Sequence, residues 1–116
     1  MSPRKRTPKR YAEGTKTPAG VSRNEVETLL KRHGAGQMMT GSDSHKERGY
    51  VQFTMTARMF RIACDYSVKV GRAKDPDQRE REAWRLLGLI VTAKLEVIRM
   101  GESTPEVEFL ANVVLP

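Results

Sequence analysis

The spacing of apolar positions changes twice along the chain. Between residues 21 and 34, Val26, Leu29 and Leu30 recur at helical intervals, and Ser22-x-x-Glu25 ahead of them has the form of a capping box. In such a box the serine hydroxyl accepts the N–H three residues on, while the glutamate reaches back to the serine N–H. Val21 and Val26 then stand where they can close over the helix start as a hydrophobic staple. Gly34 fits the C′ position, and His33 in the last turn complements the helix dipole. The pattern predicts a helix capped by Ser22 and stopped at Gly34.

From Gly36 to Tyr66 the period is two. Val51, Phe53 and Met55 fall on one face of a strand, and Phe60, Ile62 and Cys64 do the same in the next, with Arg61 and Asp65 opposite. Thr56-Ala57-Arg58 is short enough for a hairpin loop. Gln37 to Thr40 reads as a first strand, joined to the second through the polar stretch 41–49. These segments predict a three-stranded antiparallel meander with one apolar face.

Ser67 to Lys74 reads as a linker. Asp75-Pro76-Asp77-Gln78 offers an aspartate N-cap, a proline at N1 and a glutamine at N3, so a helix should run from there to about Met100, with Gly101 at C′. Ala83, Trp84, Leu87, Ile90, Val91, Ile98 and the stem of Lys94 lie on one side of it. Leu86, Leu89, Ala93 and Val97 widen that stripe, so this helix calls for cover by the sheet and by either the first helix or another subunit. Thr104-Pro105 starts a short helix, Glu106 to Leu110, before Val113-Val114-Leu115. Helix, meander, long helix and short helix make a two-layer α+β domain.

Charge adds a second division. The 116 residues, 38% hydrophobic and 30% charged with a net charge of +7, suit one domain with a core of its own. Residues 1–20 carry Arg4, Lys5, Arg6, Lys9, Arg10 and Lys16 against Glu13 alone, or +5, which leaves +2 for residues 21–116. With Pro3, Pro8, Pro18, Gly14 and Gly20, and only Tyr11 able to anchor a core, 1–20 reads as a free basic arm and 21–116 as the folded body. Such an arm can neutralise phosphates without reading sequence, can serve as a nuclear localisation signal in a eukaryote, or can simply solubilise the chain.

The candidates for chemistry are few. Cys64 is the single cysteine, which excludes an internal disulfide and a thiolate zinc site. Its place among core positions favours a buried, inert thiol. His33 and His45 lack a second ligand at metal spacing. Asp43 with Glu47, and Asp75 with Asp77, are better explained by loop solvation and helix capping. Phosphate-binding loop, dinucleotide glycine pattern and nucleophile elbow are all missing. The expectation is no enzyme, no cofactor and no metal. An apolar run of about 20 residues and a secretory leader are also lacking, which points to an intracellular protein without a membrane partner.

Nucleic acid, DNA or RNA, is the expected partner. Beyond the arm, Arg58 and Arg61 flank the turn into the third strand, and Lys69, Arg72 and Lys74 cluster before the long helix, whose first half adds Arg79, Arg81 and Arg85. Helix-strand-strand-strand-helix is also the order of double-stranded-RNA-binding domains, a likeness of topology only. Acidic Asp75, Asp77, Glu80 and Glu82 dilute this patch, so a solvated mixed-charge face is the plain alternative. A competing function is a module that binds or inhibits a host protein. Met38, Met39, Met55, Met59 and Met100 and the broad apolar stripe of the long helix would supply its surface, unless they are ordinary core. A homodimer would bring two arms together and add avidity.

Arg10-Tyr-Ala-Glu-Gly-Thr15 and Ser22-x-x-Glu-Val-Glu-x-Leu-Leu-x-Arg-x-Gly-Ala35 resemble the front of a family of small uncharacterised phage and prophage proteins. Trp84-Arg-Leu-Leu, Ala93-Lys-Leu-Glu96, Gly101, Glu108-Phe-Leu110 and Val114-Leu-Pro116 resemble its back. The resemblance implies a phage-type accessory protein, in the host cytoplasm or packaged in a virion, and it implies no chemistry.

Overall fold

A computed structural model describes residues 12, 14–43, 45–67 and 75–115. The elements follow the expected order. Helix α1 spans Ala19–Arg32, strands β1, β2 and β3 span Gly36–Asp43, Arg48–Met55 and Arg58–Asp65, and helix α2 spans Pro76–Arg99. A single turn, α3 (Pro105–Glu108), and a 3₁₀ turn at Leu110–Asn112 complete the α+β domain.

The first helix starts earlier than the capping box implies. Pro18, with ψ 146°, is its N-cap, and the N–H groups of Val21 and Ser22 both donate to the Pro18 carbonyl. Ser22 therefore lies inside the helix, buried, and its hydroxyl has no hydrogen-bond partner. Ala19, Ser22, Val26 and Leu30 recur at intervals of three and four, so the stripe facing the core runs on past the serine. Ala19 packs against that core, and Val21, expected in a staple, is half exposed. At the other end Gly34 takes φ +90° as C′, while Nδ1 of His33 meets the Leu29 carbonyl at 2.9 Å.

The chain ahead of α1 is tied to α2. Ala12 is buried, Gly14 N–H donates to Glu82 Oε2 at 2.8 Å, and Gln78 Nε2 donates to the Thr15 carbonyl at 2.9 Å. An arm-to-body boundary at residue 20 thus falls inside a helix. Residues 1–11 of the expected arm, and 68–74 of the expected linker, lie outside the described residues.

The meander has sheet order β1-β2-β3, all antiparallel. Met55 pairs with Arg58, so the hairpin turn is just Thr56-Ala57, with φ of 51° and 63°. Two left-handed residues match the twist of a hairpin, and here neither is glycine. The Thr56 hydroxyl bonds the Met55 carbonyl and the Glu106 carboxylate, which ties the turn to α3. A bulge between Gly36 and Met39 shifts the β1 register. Beyond β3, Val113 bridges Phe60 and Val114 N–H donates to the Met59 carbonyl at 2.9 Å, so the C-terminal stretch covers that edge.

Both helices pack on one face of the sheet. Val51, Phe53, Phe60 and Ile62 meet Val26 and Leu30 from α1 and Trp84, Leu87, Val91 and Leu95 from α2. Phe109 closes the core, its ring 5.4 Å from that of Phe53 and 5.5 Å from that of Phe60. On α2, Leu95 replaces Ile90 in the expected stripe. Residues 84, 87, 91 and 95 stack at three- and four-residue intervals, and Ile90 lies roughly a quarter turn away, exposed. Asp75 caps α2 as expected, accepting the Asp77 N–H. Lys94 uses its head as well as its stem, donating to the Glu108 carbonyl at 2.8 Å. Among the described residues no helix is long and apolar enough to cross a membrane.

Candidate nucleic-acid interface

With both helices on one side, the alternation of the strands sends a second set of side chains to a face that no described element covers. On that face β2 presents Arg48, Tyr50, Gln52 and Thr54; β1 presents Met39, Gly41 and Asp43; β3 presents Met59, Arg61, Ala63 and Asp65. The cross-strand rows run Met39–Gln52–Arg61 and Gly41–Tyr50–Ala63.

The Tyr50 ring reaches over its cross-strand neighbour, Gly41. A Cβ on Gly41 would stand 2.7 Å from the tyrosine Cε1 and hydroxyl oxygen, so the ring occupies the space that any other residue would fill. Over that ring sits the Arg61 guanidinium, its carbon 4.5 Å from the ring centroid, in cation–π geometry. Arg61 Nε also donates to Gln52 Oε1 at 3.1 Å, and Gln52 Nε2 in turn donates to Met59 Sδ at 3.2 Å. The guanidinium is thus fixed by two neutral partners, a ring below and an amide beside it.

In this Arg61 differs from the cations that meet carboxylates. Arg79 is buried against Glu47 Oε2 at 3.2 Å and the Tyr66 carbonyl at 2.9 Å, which removes it from any phosphate-binding surface. Arg85 faces Glu25 at 3.8 Å, Lys94 faces Glu108 at 4.0 Å, and Arg99 pairs with Glu96, whose carboxyl this contact holds below its usual range. Arg81 donates to Gln78. Among the described residues no carboxylate forms an ion pair with Arg61, and the residue is exposed.

The other expected contacts disperse. Arg58 is exposed at the hairpin end, but it sits opposite Met55 and so points to the helix side of the sheet. Lys16 is exposed ahead of α1. Arg4, Lys5, Arg6, Lys9, Arg10, Lys69, Arg72 and Lys74 lie outside the described residues. At the far end of the open face Arg48 stands between Asp43 and Asp65 in one cross-strand row. Tyr50 and Gln52 went unnoticed in the sequence. Period two from Val51 places them opposite the core, and a two-residue hairpin would have set them beside Arg61.

A second surface lies between α1 and α2, an open groove of about 590 Å³ lined by Val21, Leu29, Arg32, Arg85 and Leu89. Gly88 lies at the helix contact there, where a Cβ would meet Val26 Cγ2 at an ordinary 3.5 Å. Leu86 and Ile90 are exposed on the same helix. Elsewhere, burial pushes the Cys64 thiol up to about 11, the opposite of what a nucleophile needs. The described residues hold no group of three His, Cys, Asp or Glu side chains fit to bind a metal. No protein-family model, curated protein or solved structure matches this chain.

Proposed function

We propose that the protein is a non-enzymatic accessory factor of phage type that binds nucleic acid, with little sequence preference, through its basic N-terminal residues and the open face of the sheet. The observation that carries this reading is Arg61, an exposed guanidinium held in place without a neutralising carboxylate. Fixing a cation by neutral groups leaves its charge for a ligand, and phosphate is the anion that a chain of net charge +7 attracts. The five cations Arg4, Lys5, Arg6, Lys9 and Arg10 add diffuse, salt-sensitive attraction.

Fluorescence anisotropy with short DNA and RNA, titrated at about 50 to 200 mM salt, tests the proposal, since each phosphate contact adds about 0.7–0.9 to the log–log slope. Replacing the five arm cations by glutamine in the full chain should flatten that slope by several contacts. An unchanged slope removes the arm from the interface. Failure to bind any nucleic acid at the lowest salt removes the whole proposal.

The groove between α1 and α2, lined in part by Val21, Leu29 and Leu89, favours a second reading in which a host protein docks on the helices. Under that reading Leu89→Glu, in the groove, abolishes capture of a defined host protein and leaves nucleic-acid binding alone. Under the first, nucleic-acid binding is the activity that matters and capture is absent from the start.

A further inference from the structure

We infer that the open sheet face is a stacking platform for the bases of single-stranded nucleic acid, with the outer plane of the Arg61 guanidinium as the surface on which a base lies. This rests on the nucleic-acid reading above and names its substrate class. A guanidinium is planar and stacks on base faces as aromatic rings do, provided that something holds the plane still. Three contacts do so here. The Tyr50 ring lies beneath it, Gln52 takes the Nε proton, and Met59 anchors Gln52 from the other side.

The ground beside the stack is low. The space over Gly41 is taken by the Tyr50 ring, but Ala63, across from Tyr50 on β3, is small and exposed. A flat ligand can therefore settle on Arg61 from the β3 side. Charge selects its nature, because the terminal nitrogens of Arg61 remain to meet an adjoining phosphate. A duplex keeps its base faces stacked on one another and cannot offer one to a flat surface. A single strand can splay its bases out.

Three probes of equal length separate the possibilities: a twelve-nucleotide oligothymidine, an abasic strand of twelve phosphates, and a duplex of twelve base pairs, each titrated with the full chain. The platform predicts about tenfold tighter binding of oligothymidine than of the abasic strand, the size of one base stack. Arg61→Lys keeps the charge but not the plane, and it should erase that preference while still binding all three probes. Tyr50→Phe keeps the ring and should retain the preference. Both changes are on the surface, and the fluorescence of Trp84, the only tryptophan and buried, confirms that each variant is folded. Equal affinity for the three probes, or an Arg61→Lys variant indistinguishable from the parent, overturns the platform and leaves nucleic-acid binding standing. Failure to bind all three at about 50 mM salt overturns both.

Discussion

The indole of Trp84 fills the space in which a side chain at Gly49 would stand. A Cβ there would lie 2.5 Å from Cζ2 and 2.7 Å from Cε2, closer than any atoms can rest. Helix α2 and strand β2 are thus keyed together by the absence of one methyl group. Gly49→Ala forces the indole or the strand aside, and overpacking of this kind costs about 2–3 kcal/mol. The urea midpoint should fall accordingly, with a red shift of tryptophan emission below the transition. A midpoint equal to the parent's contradicts this packing.

Ser22 distinguishes two accounts of α1 outright. As an N-cap its loss would cost about 1 kcal/mol. As a buried hydroxyl without a partner inside the helix, it is a liability. Ser22→Ala removes an unsatisfied polar group and improves helix propensity, so it should raise stability by about 0.5–1.5 kcal/mol. Denaturant unfolding that shows destabilisation instead would restore the capping box.

Arg79 and Glu47 should respond unequally to substitution. The arginine is buried and bonds both the Glu47 carboxylate and the Tyr66 carbonyl, while the glutamate is 30% exposed. Arg79→Met strips the partner from a main-chain carbonyl and from the carboxylate, at about 2–4 kcal/mol. Glu47→Gln keeps a hydrogen-bond acceptor, and water reaches the site, so about 1 kcal/mol is expected. Thermal melts of the two variants compare them, and equal losses would mean that the salt bridge, rather than the arginine's reach to Tyr66, holds the start of α2.

Cys64 makes the protein sensitive to alkali. Burial pushes its thiol up to about 11, so in the folded chain it holds its proton where an unfolded chain has already released it. Stability is therefore undiminished below about pH 8.5 and declines between there and about pH 11, because the unfolded state ionises first. Cys64→Ala should flatten this stretch of the stability curve. At pH 8 alkylation of the native thiol should run roughly a hundredfold slower than in urea, as so little thiolate is present. Equal rates in both states would place the sulfur in solvent.

The fold was legible because its signals were redundant. Val51, Phe53 and Met55 alternate with polar residues, and Asp75-Pro76 and Gly101 bracket α2 from both ends, so no single misreading could undo the order of elements. The start of α1 misled because Ser22-x-x-Glu25 satisfies a local rule while Ala19 satisfies a distant one, contact with the core. Tertiary packing decided between them. Tyr50 and Arg61 meet across strands, so their partnership depends on a register set at Thr56-Ala57, a turn whose left-handed residues are not the glycine or asparagine that would announce it. The arm's charge is plain in the sequence, but charge alone does not say which cation is fixed and which is paired.

The ring of Phe109 carries a consequence for the order of folding. Phe53 and Phe60 face each other across a two-residue turn and can meet within microseconds, whereas Phe109 must wait for the whole of α2 to form and dock. Contacts made last are absent from the transition state, and their loss speeds unfolding without slowing refolding. Phe109→Leu should leave the refolding arm of a chevron plot in place and raise the unfolding rate about tenfold. With that outcome the residue that completes the core is a latch, setting how long the native state lasts rather than how quickly it is found.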